Sequence, residues 1–217
     1  MSLTKIYEIV VFITFLYSIY LFVFKKKLKE QFYLFLYLLI VILVDIIPVN
    51  IQYLKKCDRI FLFIVYILFS ILYFGIIYHK SIVNKSFRIL NFILLIFLIF
   101  LNIYKFQDQN IEKINFIPII SLPILFIYLS ISWYLFKLKN VDETKITDSF
   151  LFWISSGILI WSVFFIFRAI PMYFLQENDP RLLSFVIAAF SVVNIVTYLL
   201  FLIGLINIKN ERTSGRI

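Results

Sequence analysis

Cysteine, histidine and glycine are almost missing from this chain, and each scarcity closes off a class of chemistry. The single cysteine, Cys57, has no mate for an internal disulfide, and with one histidine, His79, there is no Cys/His constellation of the zinc type. The count leaves open only an all-oxygen site for a hard cation. Four glycines, scattered, make no phosphate-cradling loop, and the last apolar run holds no lysine of the retinal-binding kind. Neither metal nor cofactor is expected. Charge is thin as well: 15% of residues are charged, against about 25% in ordinary soluble domains. Ser155 and Ser156 have no histidine or acid nearby in their run, and a serine nucleophile needs a base within hydrogen-bond reach, so no catalytic residue is expected.

What the chain has instead is apolar bulk. It is 63% hydrophobic with a mean hydropathy of +1.01, and it uses 27 phenylalanines and 14 tyrosines in 217 residues. A transmembrane barrel would alternate polar and apolar residues in roughly ten-residue segments between turns, whereas these runs are continuous. Measured against the roughly 20 residues that cross a bilayer as a helix, they predict seven spans, at 6–24, 32–54, 60–78, 87–104, 116–136, 150–174 and 183–207. No stretch is left over for a soluble domain, so residues 1–217 read as one all-α polytopic transmembrane bundle. The first span is followed by KKKLKE and has no small-residue cleavage site, which predicts a retained span rather than a signal peptide.

The formal charge of +9 resembles a nucleic-acid signature only until it is placed along the chain. It is spread over the connections between spans, where it reads as topology and contact with anionic lipid, so the expected partner is the bilayer and not nucleic acid. Thirteen Lys and Arg fall on the side that holds the KKKLKE run and the NERTSGRI tail, and eight on the other. By the positive-inside rule the N-terminus is outside and the C-terminus inside.

The run Phe150–Phe174 stands apart because it carries a glycine, two tryptophans and an arginine. On a helix Trp153, Gly157, Trp161, Phe164 and Arg168 recur at steps of three and four and share a face, which predicts a packing face with a charge at its outer end. Asp45 is the other conspicuous residue. It lies roughly 21 Å into its span, past the middle of a core about 30 Å thick, where a charge costs at least about 2.5–3.5 kcal/mol. Pro48, three residues on, frees the carbonyl of Val44 beside it. Gln52 continues the same face. Glu8 and Arg168 fall toward the same outer half and Asn194 near mid-depth of the last span, so Glu8, Asp45, Gln52, Arg168 and Asn194 form a candidate pocket for a proton, cation or polar ligand, with an Arg–carboxylate pair at its mouth. Pro118, Ser121 and Pro123 predict an irregular outer half for the fifth span.

Three pieces, Asp45 in LVDIIP, FWISSGILI at the start of the sixth span, and Asn194 in VVNIVTYLLFLIG, resemble in that order the small seven-span membrane proteins encoded in AT-rich bacterial genomes, often near two-component signalling genes. The layout is more loosely similar to the seven-transmembrane receptor module of bacterial intracellular-signalling proteins. The resemblance implies a multi-pass protein of the plasma (inner) membrane and a non-enzymatic sensor or accessory subunit. Larger receptors of that kind add sensory and output domains that this sequence does not carry, so signalling would need a partner such as a kinase or another membrane protein. The alternatives are a small transporter that uses Asp45 for proton or cation coupling, and a membrane-embedded lipid enzyme that uses it as an acid or base.

Overall fold

The structure, a computed structural model, describes residues 3–25, 31–50, 56–107, 116–140, 145–169, 175 and 178–208. Nearly all of them are helical, with no strand among the described residues. Helix α1 is Leu3–Val23, α2 Leu34–Val41, α3 Ile47–Asn50, α4 Lys56–Ser81, α5 Lys85–Gln107, α6 Phe116–Lys139, α7 Phe150–Ala169 and α8 Pro180–Asn207. A single π-helical turn, Ile42–Ile46, joins α2 to α3, and a 3₁₀ turn, Ile146–Asp148, precedes α7. Six of the helices are long and apolar enough to cross a membrane, and the shorter apolar stretch Leu34–Ile46 makes a further, interrupted one. Their outer surfaces carry Phe167, Phe185 and Phe100 with about seven-tenths of each side chain exposed. Apolar surface on that scale suits lipid as the solvent, and the chain reads as an integral membrane protein.

The helices close into a ring in the order α1, α2, α4, α6, α7, α8 and back to α1, with α5 outside it against α4 and α6. Aromatic rings fill the middle. Phe74 of α4 meets Tyr37 of α2 and Phe126 of α6 edge-on, with centroids 4.9 and 4.7 Å apart, and Phe126 continues to Trp161 of α7 at 5.9 Å. Edge-to-face contacts at these distances add roughly 0.5–1.5 kcal/mol to what burial alone provides.

Element boundaries refine two of the predicted spans. Residues 32 and 33 do not begin a helix: Phe32 (φ 50°) and Tyr33 (φ 59°) are left-handed, and α2 starts at Leu34. The last span starts at Pro180 rather than at 183, because proline suits the first helical position, where its missing N–H costs nothing, and Asp179 caps the end by accepting the Leu182 amide at 3.0 Å. Pro123 sits inside α6, which runs as one helix through it.

The α7–α8 contact is the most extensive between two helices. A Cβ on Gly157 would stand 2.9 Å from the Phe201 ring and 3.3 Å from the Thr197 carbonyl, and one on Gly204 would stand 3.1 Å from the Trp153 Cβ and 3.3 Å from the Phe150 carbonyl. Only glycine lets the two backbones come this near, which is how small residues hold helices together where lipid gives no hydrophobic drive.

Candidate functional site

Asp45 lies on the π-helical turn, and the turn has a local cause. Pro48 offers no N–H to the Val44 carbonyl, so regular α-helical bonding fails here, and the Ile47 amide reaches back to Ile42, five residues away. The extra residue in the turn changes the direction in which Asp45 leaves the helix. Its carboxylate accepts the Tyr7 hydroxyl of α1 at 2.5 Å. That bond ties two helices 38 residues apart in sequence, and a hydrogen bond to a charged group is among the stronger kinds. The rest of the Asp45 side chain is exposed at the surface of the bundle.

Glu8 and Arg168 both act electrostatically on Asp45, so the same end of the bundle gathers two carboxylates and one guanidinium from α1, the π-helical turn and α7. The expected Arg–carboxylate pair at the mouth is not a direct one. Arg168 lies half-buried with its guanidinium over the Phe190 ring of α8, 4.8 Å from the centroid, and it reaches Asp45 through space. Asn194 is one helical turn further along α8, where its side-chain oxygen accepts the Trp161 indole N–H at 3.0 Å. That bond ties α8 to α7. Gln52 lies outside the described residues.

Of the face predicted on the sixth span, Gly157 is buried against α8, and Trp161 stacks on Phe165 and packs against Phe190. Trp153 anchors the start of α7 by donating its indole N–H to the Thr147 carbonyl at 2.7 Å. Phe164 lies on the same face of α7 but is 48% exposed, so the buried part of that face ends below it. Ser155 and Ser156 are engaged by tyrosines, Tyr78 and Tyr134, each with 2.6 Å between hydroxyls. Neither serine meets a base.

Sequence reading missed the tyrosines. Tyr7 of α1 packs its ring 5.7 Å from Tyr198 of α8, and Tyr37 of α2 stacks on Tyr73 of α4 at 5.4 Å and holds its hydroxyl 3.1 Å from that of Tyr66. Four helices thus send phenols into the space behind Asp45. The Tyr73 hydroxyl is buried there with no hydrogen-bond partner among the described residues. A buried hydroxyl in an apolar bundle lacks solvent, so an unpartnered one marks a place that a polar ligand or water would satisfy. The available signal was the seven-residue step from Tyr66 to Tyr73, which puts both on one face of α4 well inside the span rather than at the interface where tyrosine usually sits.

Among the described residues no group of three His, Cys, Asp or Glu side chains could hold a metal ion. Compared with known proteins, the chain matches no family model, no curated protein and no solved structure. The chemistry of the site has to carry the functional reading.

Proposed function

We propose that the chain is a seven-pass protein of a bacterial plasma (inner) membrane, N-terminus outside and C-terminus in the cytoplasm, that works as a non-enzymatic sensor or accessory subunit. It holds a small polar ligand at the Asp45 end of the bundle and passes a helix movement to a signalling kinase or another membrane partner. The observation that carries the reading is the π-helical turn at Asp45, which brings a carboxylate from one helix onto a tyrosine of a second and into the electrostatic field of an arginine of a third. Such turns recur at functional sites, and one extra residue in a helix is a natural two-state element. The kinship in layout with seven-transmembrane receptor modules belongs to the same proposal.

The test is co-purification from the native membrane, followed by the state of the captured kinase. The expected result is a kinase whose phosphorylation changes when Asp45→Asn replaces the parent; no change between the two overturns the sensor reading. Orientation is tested by reporter fusions, where an active C-terminal alkaline phosphatase would reverse it. One observation favours a second reading, that of a carrier: the Tyr37–Tyr66 hydroxyl pair lies in the interior behind the Tyr7–Asp45 bond, toward which a proton or cation would have to pass. Coupled uptake into proteoliposomes that fails in Asp45→Asn would decide for it.

A further inference from the structure

At the opposite end of the bundle from Asp45, where α4 ends, α5 begins and α6 ends, the surface has a cavity of about 570 Å³. Its rim is basic and polar: Lys85 from the first turn of α5 and Lys139 from the last turn of α6 both line it, with Asn84 and Asn140 beside them. Its other wall is apolar, with Val83 and Leu135, which are 69% and 53% exposed, and Phe87. No Asp or Glu lines it among the described residues. Two lysines thus line one hollow with no carboxylate among the described residues, and an anion between them is attracted by both.

Three further features point the same way. The first turn of α5 has no acidic residue, so the positive end of its helix dipole is not neutralised from within. The Asn84 side-chain oxygen already accepts the Ser86 and Phe87 amides at 2.9 and 3.3 Å, which leaves its own amide donors without a partner among the described residues. The depth of the cavity is set by its walls: stretches of membrane-spanning length and apolarity end at Ser81, begin at Lys85 and end at Lys139, so the hollow lies at the level of the lipid headgroups. Below it the outer face of α5 is apolar, with Ile89, Phe92 and Ile93 each more than half exposed.

We propose that this cavity binds an acidic phospholipid, its phosphate between Lys85 and Lys139 and its acyl chains along Val83, Leu135 and the outer face of α5. The amphipathic walls decide for a lipid over a free phosphate, which would have no use for the apolar side. The proposal is independent of what binds at Asp45.

Full-length protein in nanodiscs of phosphatidylcholine, with and without phosphatidylglycerol, tests it by melting temperature and by lipid retained in native mass spectrometry. The expected result is a higher melting temperature and retained phosphatidylglycerol. The pair Lys85→Gln with Lys139→Gln should weaken retention roughly thirtyfold, the worth of two lysines near a membrane surface. The charge-preserving pair Lys85→Arg with Lys139→Arg should keep it, which separates lost binding from lost folding. Equal behaviour in the two lipids, undiminished retention in the Gln pair, or loss in both the Gln and the Arg pairs would overturn the proposal. Full competition by millimolar inorganic phosphate would also overturn it, in favour of a free-phosphate site.

Discussion

The α7–α8 seam and the α1–α4 side of the ring handle buried polarity in opposite ways. In the seam, polar side chains mostly answer to backbone close by: Thr197 donates to the Val193 carbonyl at 2.9 Å and Ser162 to the Ile158 carbonyl at 2.6 Å, each four residues back on its own helix. Such bonds satisfy most of a hydroxyl's needs within its own helix, so the seam is held by close approach at Gly157 and Gly204 with the Trp161–Asn194 bond and the Thr197 contact to the Gly157 carbonyl added across it. On the other side the polar groups need one another across helices, as Tyr7 needs Asp45 and Ser18 needs Gln31, and the backbone there departs from regular helix at the π turn and at Phe32 and Tyr33. One side is a rigid packing surface. The other is a set of cross-helix bonds on irregular backbone, the kind of place where a ligand shifts an equilibrium.

The largest effect is expected from breaking the seam. Gly157→Ala brings a methyl group to 2.9 Å from the Phe201 ring and 3.3 Å from the Thr197 carbonyl. The ring can give way but the backbone cannot, so the cost is about 1–3 kcal/mol, and Gly157→Leu exceeds it enough to abolish folding. Thermal melting in detergent checks the first and size-exclusion of a fluorescent fusion the second. A Gly157→Leu protein that elutes and melts like the parent would show that the seam is not the packing surface.

On the other side the expected effects divide between stability and function. Tyr7→Phe leaves the Asp45 carboxylate without its hydroxyl donor and costs roughly 1.5–3 kcal/mol, the range for hydrogen bonds to charged groups. Asp45→Asn keeps an acceptor for Tyr7 and should melt within about 1 kcal/mol of the parent while losing the partner-linked response. If Asp45→Asn instead keeps the response and lowers stability as far as Tyr7→Phe does, the carboxylate is structural and the contrast between the two sides fails. Arg168→Leu loses the contact with Phe190, worth about 0.5–2 kcal/mol, and Arg168→Lys should recover part of it because an ammonium also sits over a ring. Melting curves of the two variants decide between a packed arginine and one that merely trails toward the headgroups.

The elements were legible in the sequence because length and apolarity alone mark a membrane helix, and every predicted run is helical over most of its described residues. Which faces meet was much less legible. These helices are apolar nearly all round, so no polar face shows the direction of the core, and the exposure of Phe164 beside buried Gly157 could not be read from the pattern. Gly157, Arg168 and Asp45 could be picked out because each is rare in such a composition. The tyrosines could not, since 14 of them are spread over the chain and only folding shows that Tyr7, Tyr37, Tyr66 and Tyr198 come from four helices to one place. Pro48 pointed to a freed carbonyl beside Asp45, but the π turn that results depends on how the helix upstream adjusts.

The smallest expected effect concerns the turn that leads into α2. A non-glycine residue in the left-handed region costs roughly 1–2 kcal/mol, and Phe32 and Tyr33 adopt it in succession. The two differ in what holds them there. Phe32 stacks on Phe150 at the start of α7, 6.1 Å between centroids, whereas the Tyr33 side chain is exposed. Tyr33→Gly therefore relieves strain without losing a packed ring, though the unfolded chain gains freedom in return, and the net stabilisation is below about 1 kcal/mol. Phe32→Gly relieves the same strain but removes a stack worth about 0.5–1.5 kcal/mol, so it should leave stability unchanged or lower it. A rise in melting temperature for Tyr33→Gly together with a weaker response from the Asp45 side would show that strain at this turn favours the responsive arrangement. A fall in melting temperature for Tyr33→Gly would remove strain from the contrast and leave cross-helix bonding as the whole of the difference.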